Sequence, residues 1–138
     1  MTLFTSHVWA GDSKNVEFLN KKPSSKQLPF SEAVKVGDML ILSGKIGFDP
    51  KTKALAPGGI KAEAHQTLVN IKQALSNYGY SMNQVVKCTV MLVDINDFKV
   101  FNQVYTQHFE PPYPARSAFA VNALALNSQV EVECIAAI

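Results

Sequence analysis

The chain lacks most of the patterns that announce a chemistry. It has two cysteines, Cys88 and Cys134, in 138 residues, with no CxxC pair and no Cys/His cluster, so a metal site has no ligand set to draw on. Each cysteine sits inside an apolar run and reads as a buried reduced thiol. The three histidines, His7, His65 and His108, are far apart without ligand spacing and read as surface or half-buried residues. GxGxxG, GxxxxGK(S/T) and HExxH are absent, which leaves nucleotide, P-loop and zincin chemistry without support. No apolar run approaches the ~20 residues needed to cross a bilayer. Thirteen Lys and Arg against eleven Asp and Glu leave a net charge of +2, too small to imply a polyanionic partner. Aromatic and basic residues do not interleave as a single-strand platform would require, so nucleic acid is not an expected partner.

What is present suits one globular domain, with 47% hydrophobic and 17% charged residues. Residues 1–28 read as a polar, flexible N-terminal extension with one apolar patch, VEFL, and residues 29–138 as the domain. Lys21, Lys22 and Lys26 in NKKPSSK read as a solvated connecting segment. The start, MTLFTSHVWAGD, reads as a disordered tail of a cytoplasmic protein. A clipped signal peptide is the alternative, with Val8 and Ala10 before the cut, and would make the chain periplasmic or exported.

SEAVKVGDMLILSGKIGFDP predicts two strands around a Val-Gly-Asp turn. In the next segment Ile60, Ala64, Thr67, Leu68, Ile71, Leu75 and Tyr78 recur at helical spacing. Lys61, Glu63, Gln66, Lys72 and Gln73 mostly take the other side, with Gly58-Gly59 and Gly79 as start and stop signals. QVVKCTVMLVDI reads as a central strand buried on both faces or nearly so. Asp94 or Asn96 can cap a second helix carrying Phe98, Phe101, Tyr105 and Phe109. RSAFAVNAL and QVEVECIAAI make two final strands. Strand, strand, helix, strand, helix, strand, strand predicts an α+β fold, two helices on one face of a mixed sheet. The other face would be aliphatic and covered by copies of the same chain.

Arg116 is the first candidate for chemistry. Pro111, Pro112 and Pro114 fix three φ angles just before it, and a guanidinium whose base is held loses less entropy on gripping a carboxylate. A rim arginine after a proline loop is the other reading. Glu131 and Glu133 share one strand face, roughly 7 Å apart, with Val130, Val132 and Cys134 on the other. A desolvated member of the pair could activate water, whereas on an edge strand both would be exposed. Ser43-Gly44 offers a hydroxyl beside bare backbone, and Asn102 is a polar residue among aromatics.

The ordered segments PFSEAVKVGDMLILSGKIGFDPKTK, GGIKAEAHQTLVNIKQAL, VVKCTVMLVDINDFKVFNQVY, PARS and VEVECIA resemble the RidA/YjgF family of enamine/imine deaminases, also called L-PSP endoribonucleases. The resemblance spans residues 29–138. It implies a chorismate-mutase-like fold, a homotrimer with clefts between subunits, and hydrolysis of 2-aminoacrylate and related imines to 2-keto acids and ammonia, without cofactor or metal. By position it makes Arg116 the carboxylate anchor and Glu131 the group that places water, with Ser43, Gly44 and Asn102 lining the cleft. Three residues depart from the family pattern: Phe30 where Tyr is frequent, Lys45 where Gln is common, and Ala118 for a frequent Cys. Two other functions stand beside the deaminase: an endoribonuclease or translation inhibitor, and a small-carboxylate-binding trimer without turnover.

Overall fold

A computed structural model describes residues 15–21 and 28–138. The expected N-terminal tail with its signal-peptide alternative, His7, Lys22 and Lys26 lie outside the described residues.

The sheet runs β1 (Val16–Leu19), β2 (Ala33–Val36), β3 (Met39–Leu42), β9 (Val130–Ala137), β7 (Val85–Leu92), β8 (Ala115–Ala120), and β4 (Lys45–Ile46) also pairs with β9. The β7–β8 pair is parallel and the others are antiparallel, so the sheet is mixed as expected. A small hairpin of β5 (Phe48–Asp49) and β6 (Ala54–Leu55) leads into α1 (Gly59–Asn77), and α2 (Phe98–His108) joins β7 to β8. The turn between β2 and β3 falls on Gly37, whose φ of 57° belongs to the left-handed region that glycine enters without strain.

Both helices cover one face of the sheet. Ala64, Leu68, Ile71 and Leu75 of α1, with Phe101, Val104 and Tyr105 of α2, bury against Leu40, Leu42, Val90, Leu92, Val130, Val132 and Ala136. Each Val, Leu, Ile or Phe side chain among them contributes roughly 1.5–3 kcal/mol relative to exposure. Asp94 begins the second helical segment by accepting a hydrogen bond from the Asn96 amide at 2.9 Å, through one 3-10 turn ahead of α2.

Four expectations change. VEFL forms β1, an outer strand paired with β2, so regular structure begins before residue 29; four residues flanked by polar sequence carry too little periodicity to announce a strand. Cys88 and Cys134 are joined in a disulfide rather than reduced, because the β7–β9 register sets them directly opposite, with Cα atoms 4.2 Å apart. Glu63 is buried rather than on the solvent side, and its carboxylate accepts the Gln129 amide at 2.8 Å, fastening α1 to the chain entering β9. Finally, β7 is buried on its helix side only, with Thr89 and Met91 half-buried on the other.

The face without helices is apolar over β1, β2 and β3, where Val16 and Phe18, Val36 and Val34, Met39 and Ile41 follow one another by register and Ile41 leads to Ile135 of β9. Beyond them Met91 lies beside Phe119, but Glu131, Glu133, Lys87 and Thr89 share this face. Phe18 is 73% exposed there, a large aromatic ring left in water.

Candidate functional site

Arg116 belongs to the helix face. Its register partner on β7 is Cys88, itself opposite Cys134, and both cysteines are buried in the core. The Arg116 guanidinium carbon lies 4.7 Å from the ring centre of Tyr105, 5.5 Å from Phe98 and 5.9 Å from Phe101. Three rings from one helix thus bed a cation on outer strand β8, an attraction of about 0.5–2 kcal/mol per well-placed ring. Burial pushes the Tyr105 phenol above its usual pKa, and the Arg116 charge acts in the opposite sense. The Tyr105 hydroxyl and Asn102 Oδ1 are both buried without a hydrogen-bond partner among the described residues. Ala118, two residues along β8 from Arg116, packs partly buried against the core. The Pro111–Pro112 bond in the preceding loop is cis.

Glu131 belongs to the open face. It is opposite Met91 and Ile46, while its neighbours Val130 and Val132 point into the core. The period-two reading of β9 therefore holds, but β9 is a central strand, so Glu131 is half-buried and Glu133 exposed. The Glu131 carboxylate lies over Gly44. A Cβ built on Gly44 would overlap Oε1 and stand 2.9 Å from Cδ, so at this position glycine supplies space for the glutamate.

Ser43 is anchored beside it. Its hydroxyl donates to the Ser31 carbonyl at 2.6 Å and its amide to the Glu32 carbonyl at 3.1 Å. Phe30, Ser43 and Lys45 border an open cavity of about 1210 Å³, whose other walls include Phe18, Leu28 and Glu32. Lys45 Nζ is 3.5 Å from Glu32 Oε1, which forms an ion pair at the rim.

The eight expected residues therefore fall into two groups. Arg116, Ala118 and Asn102 accompany the helix side and outer strand β8; Phe30, Ser43, Gly44, Lys45 and Glu131 accompany the strand β3 to β4 turn. Phe98 and Tyr105 were read only as helix periodicity, yet they bed Arg116. Their aromatic spacing on the helix before the proline loop was the available signal. His65 and His108, distant in sequence, meet between α1 and α2 with ring nitrogens 3.0 Å apart. Burial, then the neighbouring His65 and Lys72, lower the His108 pKa below its usual value.

This α+β domain, two helices on one face of a mixed sheet, is shared by a class of known proteins. The family model described as Endoribonuclease L-PSP matches residues 20–138. A 2-iminobutanoate/2-iminopropanoate deaminase from Bos taurus is 46% identical over 108 residues, 78% of this chain and 79% of that protein. The Homo sapiens protein of the same name is 44% identical over 108 residues, with the same coverage of 78% and 79%. Among solved structures, RidA from the Antarctic bacterium Psychrobacter sp. superposes with a TM-score of 0.78 at 44% identity, over 83% of this chain and 92% of that one. Escherichia coli TdcF with bound serine gives a TM-score of 0.76 at 33% identity, over 82% and 91%. The chain belongs to the L-PSP, or RidA/YjgF, family.

Proposed function

We propose that this chain hydrolyses reactive 2-imino acids to 2-keto acids and ammonia, in a cleft completed by a second copy of itself. The observation that carries the reading is the fixed guanidinium of Arg116 on its aromatic bed, a fork suited to a small carboxylate in a place where rings exclude water. The names of the relatives support the same chemistry, and a relative that binds serine handles a ligand with the same carboxylate.

The residues divide the work simply. Arg116 grips the carboxylate and sets the iminium carbon in place. Glu131 orients a water and takes its proton as oxygen attacks that carbon. The attack gives a carbinolamine, Glu131 returns the proton to its nitrogen, the C–N bond breaks to release ammonia, and the hydroxyl loses its remaining proton to leave the water oxygen as the new carbonyl. Asn102 Oδ1, buried and unpartnered among the described residues, is a fitting acceptor for an N–H of the bound imine. Because the electrophile is already activated, placement supplies most of what the reaction needs.

Arg116 and Glu131 occupy opposite faces of one sheet, so a cleft holding both draws them from different copies. The apolar open face is the surface for that association, and a homotrimer is the assembly we expect. Ammonia release is measured from 2-iminopropanoate generated in the cuvette, for the parent and Arg116→Ala. Turnover that falls by about 100-fold in the variant supports the reading, and equal activity removes Arg116 from the site. Binding of a 2-keto acid with no hydrolysis by the parent would favour a carboxylate-binding trimer.

A further inference from the structure

We infer that Glu32 is a positioning residue for the Glu131 half of the site, with Tyr78 and Lys45 as its fastenings, and that the Lys45 charge serves Glu32 rather than substrate. The inference rests on the imine-hydrolysis reading for its catalytic consequence, though not for its geometry.

Lys45 sits opposite Val132, whereas the next residue, Ile46, sits opposite Glu131. Val132 is a core residue on the helix face, so Lys45 leaves the strand on the side away from the Glu131 carboxylate. Its ammonium ends 3.5 Å from Glu32 Oε1. Glu32 Oε2 accepts the Tyr78 hydroxyl at 2.7 Å, at the C-terminal end of α1. The Glu32 amide donates to Asn20 Oδ1 at 2.9 Å, and its carbonyl accepts the Ser43 amide at 3.1 Å. One residue therefore ties together the end of β1, the start of β2, the Ser43–Lys45 turn and the end of α1.

That turn carries Gly44, on which the Glu131 side chain rests. A shift of the turn moves the floor beneath the carboxylate, and small misplacements of a reacting group cost disproportionate rate. Burial alone would raise the Glu32 pKa; the Tyr78 hydrogen bond and the Lys45 charge reverse this and lower it, so the carboxylate is charged at neutral pH. Conversely, burial and Glu32 push the Tyr78 phenol up to about 12, which keeps it a donor.

Two readouts on Glu32→Ala, Tyr78→Phe, Lys45→Gln and the Glu32→Ala/Lys45→Gln double variant test this. In amide exchange, Glu32→Ala and Tyr78→Phe should speed Ser43 and Gly44 by about tenfold while Leu68 and Val90 keep their protection. In imine hydrolysis, each single variant should lower kcat by about tenfold with KM within about twofold, the double variant being no worse than Glu32→Ala. Unchanged exchange at Ser43 and Gly44 overturns the positioning role. A Lys45→Gln variant whose main defect is a raised KM, whatever residue stands at 32, makes Lys45 a substrate contact and overturns the inference. A parent without imine turnover refutes the proposed function instead, and amide exchange still decides the role of Glu32.

Discussion

Arg116 and Glu131 stand on opposite faces of the same sheet, and the two faces hold them by different means. Arg116 lies among three aromatic rings of α2, on an outer strand, with its row anchored in the core by Cys88. Glu131 lies on a central strand, over a glycine whose turn is tied down by polar contacts. The cation is held by surfaces that exclude water and lack direction, while the carboxylate is held by directional hydrogen bonds around its floor. Under the proposed mechanism, a group that grips substrate throughout the reaction tolerates the first kind of mount, and a group that aims a water needs the second.

The sharpest break of this comparison uses two inactive proteins. Arg116→Ala and Glu131→Gln should each lose about 100-fold or more in kcat/KM. Unfolding them together and refolding the mixture should restore ammonia release, because a cleft can then combine Glu131 from one chain with Arg116 from the other. Mixed oligomers without recovery would put both groups in one chain's cleft.

A smaller loss is expected from Gly44→Ala. The new methyl displaces the end of a flexible glutamate rather than backbone, so kcat should fall by about tenfold while the melting temperature moves by only a few degrees. On the other face, Tyr105→Leu removes one ring of the Arg116 bed and should raise KM by about fivefold, whereas Tyr105→Phe keeps the ring and should stay near parental KM.

Acid separates the halves with the least effect. The folded pKa of His108 is depressed below 6.5, so its contribution to stability is present above that pH and fades as pH falls through the folded value. Glu32, depressed below 4.5, keeps its contribution until pH falls below that range. Melting curves at pH 7.5 and 5.5 should therefore differ slightly more for the parent than for His108→Gln, by less than about 0.5 kcal/mol given its exposure. Glu32→Ala should leave that interval unchanged.

Both helices, the hairpin around Gly37 and the alternation of β9 were legible because each is set by local spacing. Arg116, Ser43-Gly44 and Glu131 were legible as residues, through the proline run, the small pair and the period of two. Their division between faces was not, since it depends on how β7 is registered against both β8 and β9. The same register produces the disulfide, which links strands far apart in the chain. Helical spacing ranks Glu63 with the polar side, whereas the Gln129 amide, donating from the chain before β9, gives the buried carboxylate its partner. The role of Glu32 is equally hidden: its partners come from three separate segments, at Asn20, Ser43–Lys45 and Tyr78.

The Cys88–Cys134 bond spans a sequence separation of 46 residues and closes that stretch into a covalent loop. Inside the loop lie all of α2 and β8, with Asn102, Arg116, Ala118 and Glu131; outside lie Phe30, Ser43, Gly44 and Lys45. A single peptide cut between β8 and β9 would therefore yield no separate fragments until a reductant opened the ring. Gel mobility of the nicked protein, with and without thiol, would read the topology of the chain directly.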